Sequence, residues 1–223
     1  MAELVIFDCD GILVDTEQIT NRILAELVTE VGLPMTTADS MARYMGRSMT
    51  AVVSLIEAEL GRTPPATFVD AYDERCFAAF DAEVAPMPGA FEAIDAVELL
   101  GIHTCVASSG SHAKMRRTLG ATGLLERFDG RIFSASEVAQ GKPAPDLFLH
   151  AAAHMGTHPQ ACVVVEDSPA GVLAAVSGGM RAIGLPGPVG AAALTAAGAE
   201  IIESLDRLVA AIGEPRRGHF RGR

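Results

Sequence analysis

No run of apolar residues in this 223-residue chain approaches the length needed to span a membrane. Its start lacks the charged and apolar regions of a signal peptide, so a cytoplasmic protein is expected. Cysteine is scarce. Cys9, Cys76, Cys105 and Cys162 lie far apart with no CxxC spacing, which fits reduced thiols better than a disulfide framework. Cys9 stands between two acids, which disfavour a thiolate there. Basic charge is also short: the net charge of −11 argues against nucleic acid or an anionic membrane as a partner. A small anion could still be held by a few local cations. No internal repeat is evident.

What the chain does have is the composition of a globular protein, 49% hydrophobic with 20% charged. Its length suffices for one well-buried core and a smaller lobe. Strand-like runs recur at 4–8, 102–108, 131–134, 162–166 and 181–185. Helical patterns fall between the later ones, at 89–100, 112–120, 146–156 and 169–179. That alternation predicts an α/β fold, a Rossmann-like parallel sheet with helices on both faces.

Residues 16–87 break the alternation. They hold no convincing strand but four helical stretches, about 16–31, 38–45, 48–60 and 66–83. In the first, Ile19, Ile23, Leu24, Leu27, Val28 and Val31 share one face, and Gly32 supplies the stop. The expected organisation is a core of 1–15 and 88–213, an all-helical cap domain of 16–87 inserted after the first strand, and a basic tail of 214–223. Gly187, Gly190 and the alanine-rich stretch beyond them suggest a loose surface loop and a short helix.

The first strand, Leu4-Val5-Ile6-Phe7, ends in Asp8-Cys9-Asp10-Gly11. Ligand sites in open α/β sheets lie beyond the carboxyl ends of the strands, so Asp8 sits where a nucleophile or metal ligand would be placed. Gly11 lets the backbone turn sharply behind it. Taken alone, these residues also admit the reading of a plain acidic turn. Three more segments extend the pattern. Ile102 to Ser108 is a strand ending in a hydroxyl. Gly141-Lys142-Pro143-Ala144-Pro145-Asp146 places a lysine in a proline-held turn before a helix. Cys162 to Glu166 is a strand ending in two acids, Glu166 and Asp167. Ser168-Pro169 then opens a helix.

In order and spacing these segments resemble the four motifs of the haloacid dehalogenase superfamily of phosphotransferases. The resemblance runs from Leu4 to about Leu185 and is nearest to the β-phosphoglucomutase-like, sugar-phosphatase branch, whose helical cap matches residues 16–87. It implies Mg²⁺ as cofactor and a small phosphate ester as partner; nucleic acid and membrane are excluded as partners by the charge, and a monomer is expected. Asp8 would attack phosphorus and form an aspartyl phosphate. Asp10 would protonate the leaving alcohol and then activate water; dehalogenating members lack this second acid. Asp8, Asp167 and the backbone carbonyl of Asp10 would hold the metal, with Glu166 acting directly or through water. Ser108 would donate to a phosphoryl oxygen, and Lys142 would neutralise charge on nucleophile and phosphate. Amides around Ser109 and Gly110 could cradle further oxygens.

Other residues keep two readings. His112 is a substrate-side group or simply a helix start. Arg47 and Arg75 in the cap are substrate contacts or solvated arginines. Asp15 caps the first cap helix or braces the loop. His150 and His154 have the i,i+4 spacing of zinc ligands, yet no HExxH glutamate lies between them and no third ligand follows. The expected activity is hydrolysis of a sugar or sugar-acid phosphate such as 6-phosphogluconate. The alternative is a β-phosphoglucomutase-type transfer, whose family histidine is replaced by Thr20 and whose extra basic residue by Ser111. A non-catalytic binding protein on the same scaffold is the remaining class, although every catalytic position is filled.

Overall fold

The computed structural model describes residues 2–45, 47 and 49–213. The basic tail of 214–223 lies outside the described residues, as does Gly46. In chain order the elements are β1 (Leu4–Phe7), β2 (Val14–Asp15), α1 (Glu17–Glu30), α2 (Thr37–Tyr44), α3 (Met49–Leu60) and α4 (Phe68–Glu83). Then come β3 (Ala85–Pro86), α5 (Ala90–Leu99), β4 (His103–Ser108), α6 (His112–Ala121), β5 (Ile132–Ser134) and α7 (Asp146–His154). The chain closes with β6 (Cys162–Glu166), α8 (Pro169–Ser177), β7 (Arg181–Gly184), α9 (Gly190–Ala197), β8 (Glu200–Ile201) and α10 (Leu208–Gly213). Among the described residues no helix is long and apolar enough to cross a membrane.

The chain divides into two compact units. One holds residues 2–13, 87–112 and 127–213, the other residues 14–86 and 113–126. The first is built on a parallel six-stranded sheet of order β5-β4-β1-β6-β7-β8. β1 is central and fully buried, with Ile6 paired to Cys105 on one side and to Val164 on the other. Covered on both faces, such a strand has no polar side, so its sequence is a continuous apolar run rather than an alternating one. Leu4 and Ile6 point to the face packed by Leu147, Phe148 and Ala151 of α7 and Val172 of α8. Phe7 points the other way and meets Phe128 edge-on, centroids 6.4 Å apart.

β8 is an edge strand that the sequence reading left out, and α9 precedes it. Two residues are too few to carry a period-two pattern, so only pairing with Ile183 and Gly184 defines the strand.

The second unit is helical, as expected. Ile19, Ile23, Leu24, Leu27 and Val28 of α1 are buried against Tyr44, Ile56, Phe68 and Phe80. Gly32, at φ +113°, ends that helix with its amide on Thr29 O. A reciprocal cap between Thr36 and Asp39 opens α2. Two corrections belong here. Residues 16–87 do contain a strand, β3, which pairs antiparallel with β2; Pro86 is tolerated because the ribbon has only two strands. Asp15 does not cap α1. It lies exposed in β2, and Thr16 takes the N-cap position without a side-chain cap bond. Extended pairing through Asp15 leaves it one residue too early to cap.

The segment 113–126, read from sequence as core, is grouped with the cap segment. Arg117 Nε donates to Asp81 Oδ1 at 2.6 Å, and Arg117 and Lys114 stand over the rings of Phe77 and Phe80. These contacts tie α6 to α4.

Candidate active site

The parallel register sets the carboxyl ends of β1, β4, β5 and β6 side by side; β4, β5 and β6 end in a polar residue and β1 is followed directly by one. Asp8 follows β1, its amide on Val165 O at 3.0 Å and its side chain nearly buried. Ser108 ends β4 and Ser134 ends β5, facing each other in register. Glu166, fully buried, ends β6, with Asp167 next to it.

Lys142 enters from the turn before α7, its side chain only 6% exposed. Its Nζ donates to Asp8 Oδ1 and to Glu166 Oε1, both at 2.6 Å, and lies 4.9 Å from the Phe148 ring centroid. The other Glu166 oxygen accepts from the Ser168 amide and hydroxyl, each at 2.8 Å. Ser168 Oγ in turn accepts from Gly171 N at 3.1 Å, capping α8. Glu166 thus joins Lys142 to the start of α8.

Carboxylate oxygens of Asp8, Glu166 and Asp167 all lie within 4.8 Å of one another, a grouping of potential metal ligands. One lysine cannot balance three acids. Burial, with help from the charges of Glu166 and Asp10 and against Lys142, pushes the Asp8 carboxyl up to about 7. Burial opposes the charge on Lys142, but the two carboxylates more than offset it and hold its ammonium above the usual lysine range. Uncompensated negative charge among oxygen-only donors fits a hard divalent cation. The backbone fits as well. Gly11, at φ +76°, passes so close that a Cβ there would stand 2.2 Å from Asp167 Oδ2.

The other residues expected from sequence are placed as follows. Asp10 is half-buried in the turn after Asp8. Ser108 is buried and accepts from Gly110 N at 3.2 Å, which leaves its own proton free to be donated elsewhere. Ser109 is exposed, and Gly110 half-buried. His112 starts α6 with Nε2 3.2 Å from Glu137 Oε2. The rings of His150 and His154 lie 4.1 Å apart, tilted at 51°, beside Phe133, and belong to no group of three metal-ligand types among the described residues. In the second unit, Arg47 is exposed, donates from Nε to Arg43 O, and lines a cavity of about 170 Å³ with Glu17, Thr20, Asn21, Tyr44 and Tyr72. Arg75 is held by both oxygens of Glu30, at 2.7 and 2.9 Å. Ser134 and Glu137 were missed. The signal was present as Ser134-x-x-Glu137, a reciprocal capping pattern directly after a strand.

A family model described as haloacid dehalogenase-like hydrolase matches residues 2–179. The 6-phosphogluconate phosphatase of Escherichia coli is 31% identical over 180 residues, covering 80% of each chain. Hexitol phosphatase B of the same organism is 28% identical over 82% of this chain and 83% of its own. Among solved structures, a HAD family hydrolase from Deinococcus radiodurans with bound phosphate and sodium superposes with a TM-score of 0.81. It is 32% identical, with 95% of each chain covered.

Proposed function

The chain belongs to the haloacid dehalogenase-like hydrolases, and on that premise we propose that it is a Mg²⁺-dependent phosphatase of small sugar or sugar-acid phosphates. The observation that carries the reading is Lys142 bridging Asp8 and Glu166 inside a three-carboxylate cluster at the strand ends. Asp8 and Asp167, with the Asp10 carbonyl, would hold the metal. Glu166 would act through water, since both its oxygens already accept from protein donors. When bound, the cation supplies the charge neutralisation that lets a carboxylate and a phosphate dianion approach.

An oxygen of Asp8 bonds to phosphorus as the ester P–O bond breaks, and Asp10 gives its proton to the leaving alcohol. Water then attacks the aspartyl phosphate and loses its proton to Asp10. Inorganic phosphate departs and Asp8 is restored. Ser108 and the amides near Ser109 and Gly110 hold phosphoryl oxygens, and Lys142 offsets the charge that builds on them. His112, Arg47 and Arg75 are proposed substrate contacts. Arg47 is the better supported of the two arginines, because Glu30 already occupies Arg75.

The substrate class follows the named relatives, which act on 6-phosphogluconate and hexitol phosphates. Hydrolysis is favoured over mutase chemistry by Thr20. Its hydroxyl is spent on Thr16 O and Glu17 O of its own helix and offers no imidazole for proton control. A monomer in a reducing cytoplasm completes the proposal, in keeping with four buried free cysteines. The test is a screen of phosphorylated metabolites for phosphate release, with Mg²⁺, with chelator and with Ca²⁺. Release should need Mg²⁺ and be inhibited by Ca²⁺. Full activity in excess chelator would overturn the metal assignment. Glucose 6-phosphate formed from β-glucose 1-phosphate and a bisphosphate primer would reinstate the mutase.

A further inference from the structure

The phosphoryl-side loop after β4 is fastened to the end of β5 at two points, and one carboxylate organises both. Ser134 Oγ donates to Gly110 O at 2.8 Å, and so grips the loop that carries Ser108, Ser109 and Gly110. Glu137 Oε2 accepts from Ser134 N at 2.6 Å and lies 3.2 Å from His112 Nε2, at the loop's far end. The same carboxylate faces a third group, His150 Nε2, which is buried without a hydrogen-bond partner and lies 3.9 Å from Glu137 Oε1.

We propose that Glu137 is a positioning residue for phosphoryl binding, holding Ser134 and His112 so that the loop between them keeps Ser108 and its neighbouring amides aimed at the phosphoryl oxygens. The inference rests on the phosphatase reading of the site and adds to it a residue that does not touch substrate. The physical case is one of preorganisation. Amides bind an anion well only when they are fixed before it arrives, and Ser109 and Gly110 lie between β4 and α6, outside the regular pairing of either. Gly110 has no side chain to anchor it, so its carbonyl is the available handle. Ser136 N and Ser136 Oγ both donate to Ser134 Oγ, at 3.2 and 2.9 Å, which fills its two accepting positions and leaves the Ser134 proton for Gly110. Glu137 therefore fixes the peptide from which the grip is made, and fixes the ring that closes the loop. His154 also lies nearby, its Nδ1 3.0 Å from His150 O and its ring tilted at 51° to that of His150.

The experiment compares wild type with Glu137→Ala and Glu137→Gln, the glutamine keeping an oxygen to accept from the Ser134 amide. Three quantities are measured: the Kd for inorganic phosphate by calorimetry in Mg²⁺, kcat and KM on para-nitrophenyl phosphate, and the melting temperature. Loss of a charged hydrogen bond that orders the loop should weaken phosphate binding and raise KM about tenfold in Glu137→Ala. Glu137→Gln should recover most of that loss. A Glu137→Ala protein with a lowered melting temperature but wild-type phosphate affinity and KM would overturn the positioning role while leaving the phosphatase intact. A wild-type protein that neither binds phosphate nor hydrolyses any ester would overturn the phosphatase reading, and this inference with it.

Discussion

The Glu166 carboxylate lies directly over Gly171, so close that a Cβ on Gly171 would stand 1.7 Å from Oε1. Glycine at the start of α8 is therefore a packing requirement of the site. The carboxylate is the flexible end of a side chain, but it is pinned by Lys142 on one oxygen and by Ser168 on the other.

Gly171→Ala should displace Glu166, and with it Lys142 and the α8 cap. Overpacking and a lost charged bond together cost about 1–3 kcal/mol. Both the melting temperature and phosphate release should fall, with kcat down about tenfold. Wild-type values in both assays would mean that the carboxylate moves aside without consequence.

Asp8→Asn should abolish turnover, because an amide cannot form the acyl phosphate. It should also stabilise the protein when metal is absent. Burial puts the Asp8 carboxyl at about 7, against about 4 in the unfolded chain. Between those values the folded state keeps a proton that the unfolded state has released, so this group's contribution to stability falls as pH rises. In chelator, the variant should melt above wild type at pH 8 by at least about 2 °C, the shift for 1 kcal/mol in a chain of this size. The gap should close toward pH 4. A gap independent of pH would show that the carboxyl ionises normally in the fold.

Asp10→Ala should slow both chemical steps, general acid–base help being worth roughly 10²–10⁴ in rate. Leaving-group dependence is the diagnostic. A para-nitrophenolate departs with little protonation, so formation of the acyl phosphate from the aryl ester should suffer least, and an alkyl phosphate should suffer most. Equal losses for both would remove Asp10 from the acid role.

Arg47→Ala should raise KM several-fold for the physiological sugar phosphate and leave the aryl phosphate nearly unaffected. Arg75→Ala should do less, since Glu30 already holds that guanidinium in a two-pronged pair. Steady-state kinetics on the two substrates separates the cases. Equal effects on both substrates would make Arg47 a support for the fold rather than a specificity contact.

Much of this protein was legible in its sequence because the signals are local. The central strands β1 and β6 are apolar runs beside turn residues, and most of the helices follow from period and punctuation. Asp8, Ser108, Glu166 and Asp167 are placed at strand ends by the sequence pattern, because a parallel sheet gathers those ends on one edge. The proline-held turn of Lys142 and the Ser168-Pro169 cap were equally readable, as was the face of α1 that packs into the cap. What only the tertiary structure decided is pairing across distance. Lys142 lies 134 positions from Asp8, and nothing local requires its ammonium to join that residue to Glu166. The two-residue strands β2, β3 and β8 exist only through their partners. The closeness of Gly171 to Glu166 and the hold of Glu137 on Ser134 and His112 depend on where side chains meet once the sheet has formed. Periodicity and turn chemistry act over a few residues and fix elements, whereas side-chain partners are chosen by packing, which sequence spacing does not encode.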